Sequence, residues 1–128
     1  MAISRMRSPL GRAIGLGSAK EGVEHWWRQR TTALLLVPLT LWFVIAVIGL
    51  AGADRATLTE WLHHPVPTVL WMLLLVATFY HAALGLQVVI EDYIENEALR
   101  LGLLMIMKFA VLLIAALGIF SLLKLSLA

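Results

Sequence analysis

Long uncharged stretches separated by short polar segments dominate the pattern along this chain. Residues 31–53 and 61–90 contain no Asp, Glu, Lys or Arg, and residues 101–128 carry only Lys108 and Lys124. About 20 apolar residues, at about 1.5 Å of rise each, cross a hydrocarbon core of about 30 Å. Each stretch therefore predicts one transmembrane helix.

These stretches place three helices at about 26–50, 67–93 and 98–127, joined by a short outer loop and an acidic connection. The expected fold class is all-α, an integral membrane protein with three transmembrane helices. Two regions follow: a basic N-terminal arm over residues 1–24 and a three-helix transmembrane anchor domain over residues 25–128. No internal repeat or second domain is evident.

Composition supports a membrane protein and excludes several classes of function. Apolar residues make up 61% of the 128 positions and charged residues 14%, against about 25% charged in soluble domains. The three helices leave too little chain for a soluble catalytic or nucleotide-binding domain. The chain has no Cys, so it cannot by itself hold an iron–sulfur cluster or a thiolate zinc site.

The basic residues predict the orientation of the chain. Six of the ten lie in the first thirty positions, just before the first apolar stretch: Arg5, Arg7, Arg12, Lys20, Arg28 and Arg30. By the positive-inside rule, the N-terminus is cytoplasmic, and three crossings make the C-terminus periplasmic. We expect a multi-pass protein of the bacterial inner membrane, in preference to the mitochondrial inner membrane.

His81 lies roughly at mid-membrane in the second predicted helix. Ionisable groups at this depth are costly and usually functional. A neutral imidazole suits apolar burial and axial ligation of haem iron, although a hydrogen bond to a neighbouring helix is the alternative explanation. Since His25, His63 and His64 fall in the flanks, a six-coordinate haem would need its second axial ligand from another chain.

Small residues surround His81 on the helix. Gly85 lies one turn away, and Ala77, Thr78 and Ala82 flank the same side. A flat side of this kind admits the close approach of a macrocycle or, equally, of another helix. Together with His81, the pattern favours haem.

Asp92 and Tyr93 follow at the cytoplasmic end of the second helix. Asp92 is about 20° from His81 around the helix and about 16 Å along it. A Tyr hydroxyl can hydrogen-bond a quinone carbonyl, and a nearby carboxylate can take part in proton delivery; a helix end with an interfacial Tyr is the alternative. Arg30, at the entry to the first helix, is either a topology charge or an anchor for an anionic group such as a haem propionate.

Several segments together resemble a known family. They are HAALG at 81–85, Asp92-Tyr93, ALR at 98–100, and GV at 22–23 followed by RTTA at 30–33. With the three-helix layout, they resemble the hydrophobic membrane anchors of succinate dehydrogenase (respiratory complex II) over residues 20–128.

The resemblance implies roles for individual residues. His81 would be one axial ligand of a haem b, on the side of the helix that carries Gly85, and a second membrane anchor chain would supply the other ligand. The chain would then be half of a haem-binding helical bundle. Tyr93 would hydrogen-bond ubiquinone in a pocket shared with this second anchor and the iron–sulfur subunit, with Asp92 beside it and Arg30 near the haem propionates or the quinone.

The expected function is that of a membrane-anchor subunit of succinate:quinone oxidoreductase, not catalytic alone. It would supply one haem ligand and part of the ubiquinone-reduction site, and attach the iron–sulfur and flavoprotein subunits to the lipid bilayer. The alternative is a non-redox membrane scaffold or assembly subunit without haem. An ion transporter is disfavoured because helices 1 and 3 offer no mid-membrane acid to form a relay with His81.

Overall fold

The structure, a computed structural model, describes residues 20–128. Four helices occupy most of this range: α1 (Lys20–Gly49), α2 (Arg55–His63), α3 (Pro65–Tyr93) and α4 (Glu97–Ser126). Three of them, α1, α3 and α4, are long and apolar enough to cross a membrane. The all-α fold with three long apolar helices is therefore confirmed.

The long helices differ from the predicted bounds mainly at their starts. Within the described residues α1 already covers Lys20, whereas the prediction started it near Trp26, and an ion pair between Glu24 and Arg28, one turn apart, supports this part of the helix. The part of the predicted basic arm before residue 20 lies outside the described residues. α3 begins at Pro65, where the missing N–H costs no helical hydrogen bond.

The segment between α1 and α3, predicted as a loop, contains the short helix α2. Asp54 caps it by accepting the backbone N–H of Thr57 at 2.9 Å. Hydrogen bonds from Thr57 lower the pKa of Asp54 below its usual value. Leu58, Trp61 and Leu62 give α2 an apolar side at helical spacing. The loop prediction is wrong here because a short capped helix can form on very few apolar contacts.

Tight turns connect the elements. Between α1 and α2 the backbone bends through Gly52, whose φ of +82° suits glycine. Between α3 and α4, Asn96 caps α4 by accepting the N–H of Leu99 at 3.0 Å. These short connections make consecutive long helices antiparallel.

α3 is the central helix. It packs against α1 and against α4, whereas α1 and α4 do not pack directly on one another in the described part of the chain. α2 lies across α3 and α4 at one end. We call the end of the bundle where α2 lies the α2 end. The opposite end, where α3 ends at Tyr93, is called the Tyr93 end.

The apolar spans remain largely uncovered by the chain itself. In each span at most 11% of the most apolar window is buried. The buried side chains are few: Leu39, Leu62, Thr68, Ala77, Leu84 and Leu122. Exposed apolar surface on this scale needs lipid or another subunit to cover it.

Candidate functional site

His81 lies where α3 crosses the first half of α1. Its ring is half-buried, and both ring nitrogens meet side chains of α1. Nδ1 lies 2.8 Å from Oγ1 of Thr32, and Nε2 lies 3.4 Å from the amide nitrogen of Gln29. The predicted mid-membrane His is therefore an inter-helix polar contact in addition to any further role.

A shallow groove runs beside His81 on the outer side of the α1–α3 pair. It has a volume of about 440 Å³ and is lined by His81 and five residues of α1: Ala33, Leu36, Val37, Thr40 and Leu41. The groove is apolar apart from His81 and Thr40 and opens outward. A group bound there would meet the imidazole from outside the chain.

The small-residue side of α3 is divided by the packing. Ala77 is buried, at 4% exposure, while Thr78 and Ala82 are exposed. An added Cβ at Gly85 would meet only the Gln29 amide, at an ordinary contact distance of 3.9 Å. Packing within this chain therefore does not demand glycine at position 85.

The other three predicted site residues lie at the Tyr93 end and are exposed. Tyr93, the last residue of α3, has 80% of its surface exposed, and Asp92 beside it is also exposed. The guanidinium of Arg30 lies 5.5 Å from the ring centre of Trp26. Among the described residues, no hydrogen bond or ion pair joins Arg30, Asp92 and Tyr93 to one another or to His81.

Comparison with known proteins decides the family. Residues 4–117 match the succinate dehydrogenase/fumarate reductase transmembrane subunit family. The chain belongs to this family. The predicted resemblance to the membrane anchors of succinate dehydrogenase is thus confirmed, and with the three apolar helices it makes the chain a multi-pass membrane protein.

Curated relatives agree with this family. The succinate dehydrogenase hydrophobic membrane anchor subunit of Rickettsia bellii is 37% identical over 86% of this chain and 89% of its own length. The protein of the same name from Paracoccus denitrificans is 30% identical over 88% and 87%. These relatives confirm the expectation of a succinate dehydrogenase subunit. No solved structure matches the chain significantly.

His81 has the chemistry of a haem-iron ligand. Within residues 22–128 no three His, Cys, Asp or Glu side chains come together to hold a metal ion. A haem needs only one nitrogen ligand from each side, and His81 beside an open apolar groove offers one. The exposed small side chains next to it let a flat ring system approach.

Two residues of α1 belong to this site although sequence analysis did not select them. Thr32 and Gln29 contact His81, and the buried atoms Nε2 of His25 and Oε1 of Gln29 have no hydrogen-bond partner among the described residues. The spacing 25, 29, 32 places all three side chains on one side of a helix. That spacing was the sequence signal that could have identified these residues.

A second cleft separates α3 from α4. It has a volume of about 490 Å³ and is mostly apolar, with Arg28, Gln87 and Lys108 among its lining residues. Lys108 of α4, for which sequence analysis assigned no chemistry, therefore lines this cleft. It lies apart from the groove at His81, which is lined by α1 and α3.

Proposed function

We propose that the chain is a membrane-anchor subunit of succinate:quinone oxidoreductase that supplies His81 as one axial ligand of a haem b. The observation that carries this is the position of His81, held by α1 through Nδ1 and lining an open apolar groove. Membership in the succinate dehydrogenase/fumarate reductase transmembrane family supports it. Haem would provide a one-electron redox centre when bound.

The second ligand would come from a companion anchor chain. Its helices would cover the exposed side of α3 and complete a haem-binding bundle of which this chain is half. Thr78 and Ala82 are small and exposed, and Gly85 lacks a Cβ, so a partner helix or a macrocycle can lie close to α3.

The proposal extends to ubiquinone reduction at the Tyr93 end. The hydroxyl of Tyr93 would donate a hydrogen bond to a quinone carbonyl, and Asp92 would hold or pass a proton near it. Tyr93 is 80% exposed, which suits a pocket completed by the iron–sulfur subunit and the companion anchor. Arg30, also exposed at this end, would bind an anionic group such as a haem propionate.

Attachment of the iron–sulfur and flavoprotein subunits follows from the same arrangement. The similarity to succinate dehydrogenase membrane anchors supports membership in such an assembly, and the basic residues near the N-terminus predict that the Tyr93 end is cytoplasmic. The soluble subunits would dock there, on the side where Tyr93 and Asp92 are exposed. The complex would lie in the bacterial inner membrane.

The decisive experiment is a reduced-minus-oxidised visible spectrum of the complex purified in detergent with its partner subunits. Wild-type complex should show a b-type band, and His81→Ala should lose it because an axial ligand is gone. His63→Ala is the matched control, since His63 is an exposed histidine of α2 far from the groove. A full b-type band in the His81→Ala complex would rule out haem ligation by this residue.

A scaffold subunit without haem is the second candidate, and one observation favours it. Both ring nitrogens of His81 already have side-chain partners in α1, as a purely structural histidine would. In that case the wild-type complex would show no band dependent on His81. The His81→Ala variant would instead assemble poorly, because α1 and α3 lose their polar contact.

A further inference from the structure

The hydroxyl of Thr32 lies within hydrogen-bonding distance of two backbone carbonyls of α1 and of the His81 ring. Its Oγ1 lies 2.9 Å from the carbonyl oxygen of Arg28 and 3.0 Å from that of Gln29, and 2.8 Å from Nδ1 of His81. Carbonyl oxygens only accept hydrogen bonds, so the single hydroxyl proton of Thr32 goes to them. Oγ1 is then left to accept the proton of Nδ1–H.

Gln29 is consistent with the same tautomer from the other side of the ring. Its amide nitrogen, a donor, faces Nε2 of His81, which suits a lone pair on that nitrogen. At 3.4 Å this contact is long for a hydrogen bond, and the amide oxygen of Gln29 has no partner among the described residues. Because this hydrogen bond is weak, the lone pair on Nε2 remains available to coordinate a metal ion.

From these contacts we infer that Thr32 is a positioning residue for the haem-ligating His81. It fixes the neutral Nδ1–H tautomer, leaves the lone pair on Nε2, the nitrogen that faces the Gln29 amide, and increases the electron-donating strength of the imidazole. Hydrogen bonding of the distal N–H has these effects on histidine ligands in general. The inference rests on the proposed haem ligation and adds to it a residue on a different helix.

The local structure makes Thr32 a rigid partner. A Thr hydroxyl that bonds back to the preceding turn of its own helix is limited in its rotamers. Because the hydroxyl is fixed to α1 and the imidazole to α3, the ring orientation depends on the relative position of the two helices. The contact is half-buried, so competition from water is limited.

The test is redox titration and haem quantification on the assembled complex with Thr32→Val, which removes the hydroxyl and keeps the branched shape. We expect the midpoint potential of the haem to rise, because a weaker donor stabilises ferric iron less. Haem affinity should fall about 10-fold, the lower limit for loss of such a hydrogen bond. An unchanged potential with unchanged haem content in Thr32→Val would overturn the inference.

Two further variants separate the hydroxyl from general damage. Thr32→Ser keeps the hydroxyl and should restore both the potential and the haem content. Thr31→Val removes the neighbouring exposed hydroxyl and should leave both unchanged. If Thr32→Val loses haem completely while Thr32→Ser retains it, the hydroxyl is still the cause; equal loss in both variants would contradict its role.

Failure of this inference is distinguishable from failure of the proposed function. If His81→Ala abolishes the b-type band but Thr32→Val changes nothing, ligation stands and the positioning role is wrong. If His81→Ala leaves the band intact, ligation itself is wrong and the role of Thr32 is wrong with it.

Discussion

The two ends of the helical bundle differ in how far packing and hydrogen bonding are satisfied within the chain. At the α2 end, Trp61 of α2 stacks on Trp42 of α1 with ring centres 6.1 Å apart. Trp71 of α3 meets Phe43 edge-on at 5.0 Å. The buried hydroxyl of Thr68 donates to the carbonyl of Leu62. This end fulfils its packing and hydrogen-bonding needs largely within the chain.

The Tyr93 end, in contrast, leaves polar groups without partners. Tyr93, Asp92 and Arg30 are exposed, and buried atoms of His25 and Gln29 have no hydrogen-bond partner in the described range. Buried polar atoms are normally paired, so these two are exceptions among the described residues. The difference teaches that the chain itself satisfies the α2 end more fully than the Tyr93 end, which is the end where the proposed function places quinone and the soluble subunits.

The largest expected effect is on quinone reduction, from a substitution at the Tyr93 end. Tyr93→Phe removes one hydroxyl from an exposed ring and should lower succinate-driven quinone reduction about 100-fold, because the donor to the quinone carbonyl is lost. Haem content should stay normal, since Tyr93 is about 18 Å along α3 from His81. The measurement is steady-state reduction of a soluble quinone analogue by the purified complex.

Tyr80→Phe is the control for this prediction. Tyr80 is the other tyrosine of the chain, lies on the same helix and lines the cleft between α3 and α4. It should keep near-normal activity. Equal rates for wild type and Tyr93→Phe would refute the quinone role and make Tyr93 an interfacial aromatic residue.

A smaller effect, on stability, is expected at the α2 end. Trp71→Ala removes edge contacts with Phe43 and Trp42 and should destabilise the chain by about 2 kcal/mol, less than for a fully buried Trp because Trp71 is only half-buried. Denaturant titration of the complex in detergent, followed by Trp fluorescence, measures it. Phe120→Ala, which removes an exposed ring of α4, should cost less; equal losses would show that the aromatic cluster adds no stability.

The smallest effect concerns the cap of α2. Asp54→Ala should raise amide exchange at Thr57 a few-fold, because the capping bond is lost. Hydrogen bonds from Thr57 lower the pKa of Asp54, so the stabilisation is present above the ordinary pKa of an Asp carboxyl. It is lost as the pH falls through the lower folded pKa. Glu60→Gln, which leaves the cap intact, should show neither change; a pH-independent contribution of the cap to exchange at Thr57 would exclude the role of the carboxylate.

Much of the fold was predictable because membrane-length apolar stretches carry a strong signal. The three long helices were found within a few residues, except at the start of α1, where Glu24 and Arg28 extend the helix beyond the apolar stretch. α2 was missed, since its nine residues have too few apolar positions to stand out. Its cap depends on how Asp54 meets Thr57 in space.

The site was predictable only along a single helix. Periodicity within α3 was enough to relate His81 to Gly85. The contacts of His81 with Thr32 and Gln29 depend on the register between α1 and α3, which no local pattern encodes. For the same reason Arg30 was considered ahead of Thr32, although the structure turns its guanidinium toward Trp26.

The central position of α3 also bears on how such a protein is made. The hydrogen-bonding partners of His81 in the described residues all lie in α1, which precedes α3 in the chain. His81 and the side chains that contact it therefore all precede α4, which begins at Glu97. During membrane insertion, the hairpin of α1 and α3 can therefore orient the histidine while the last helix is still being synthesised.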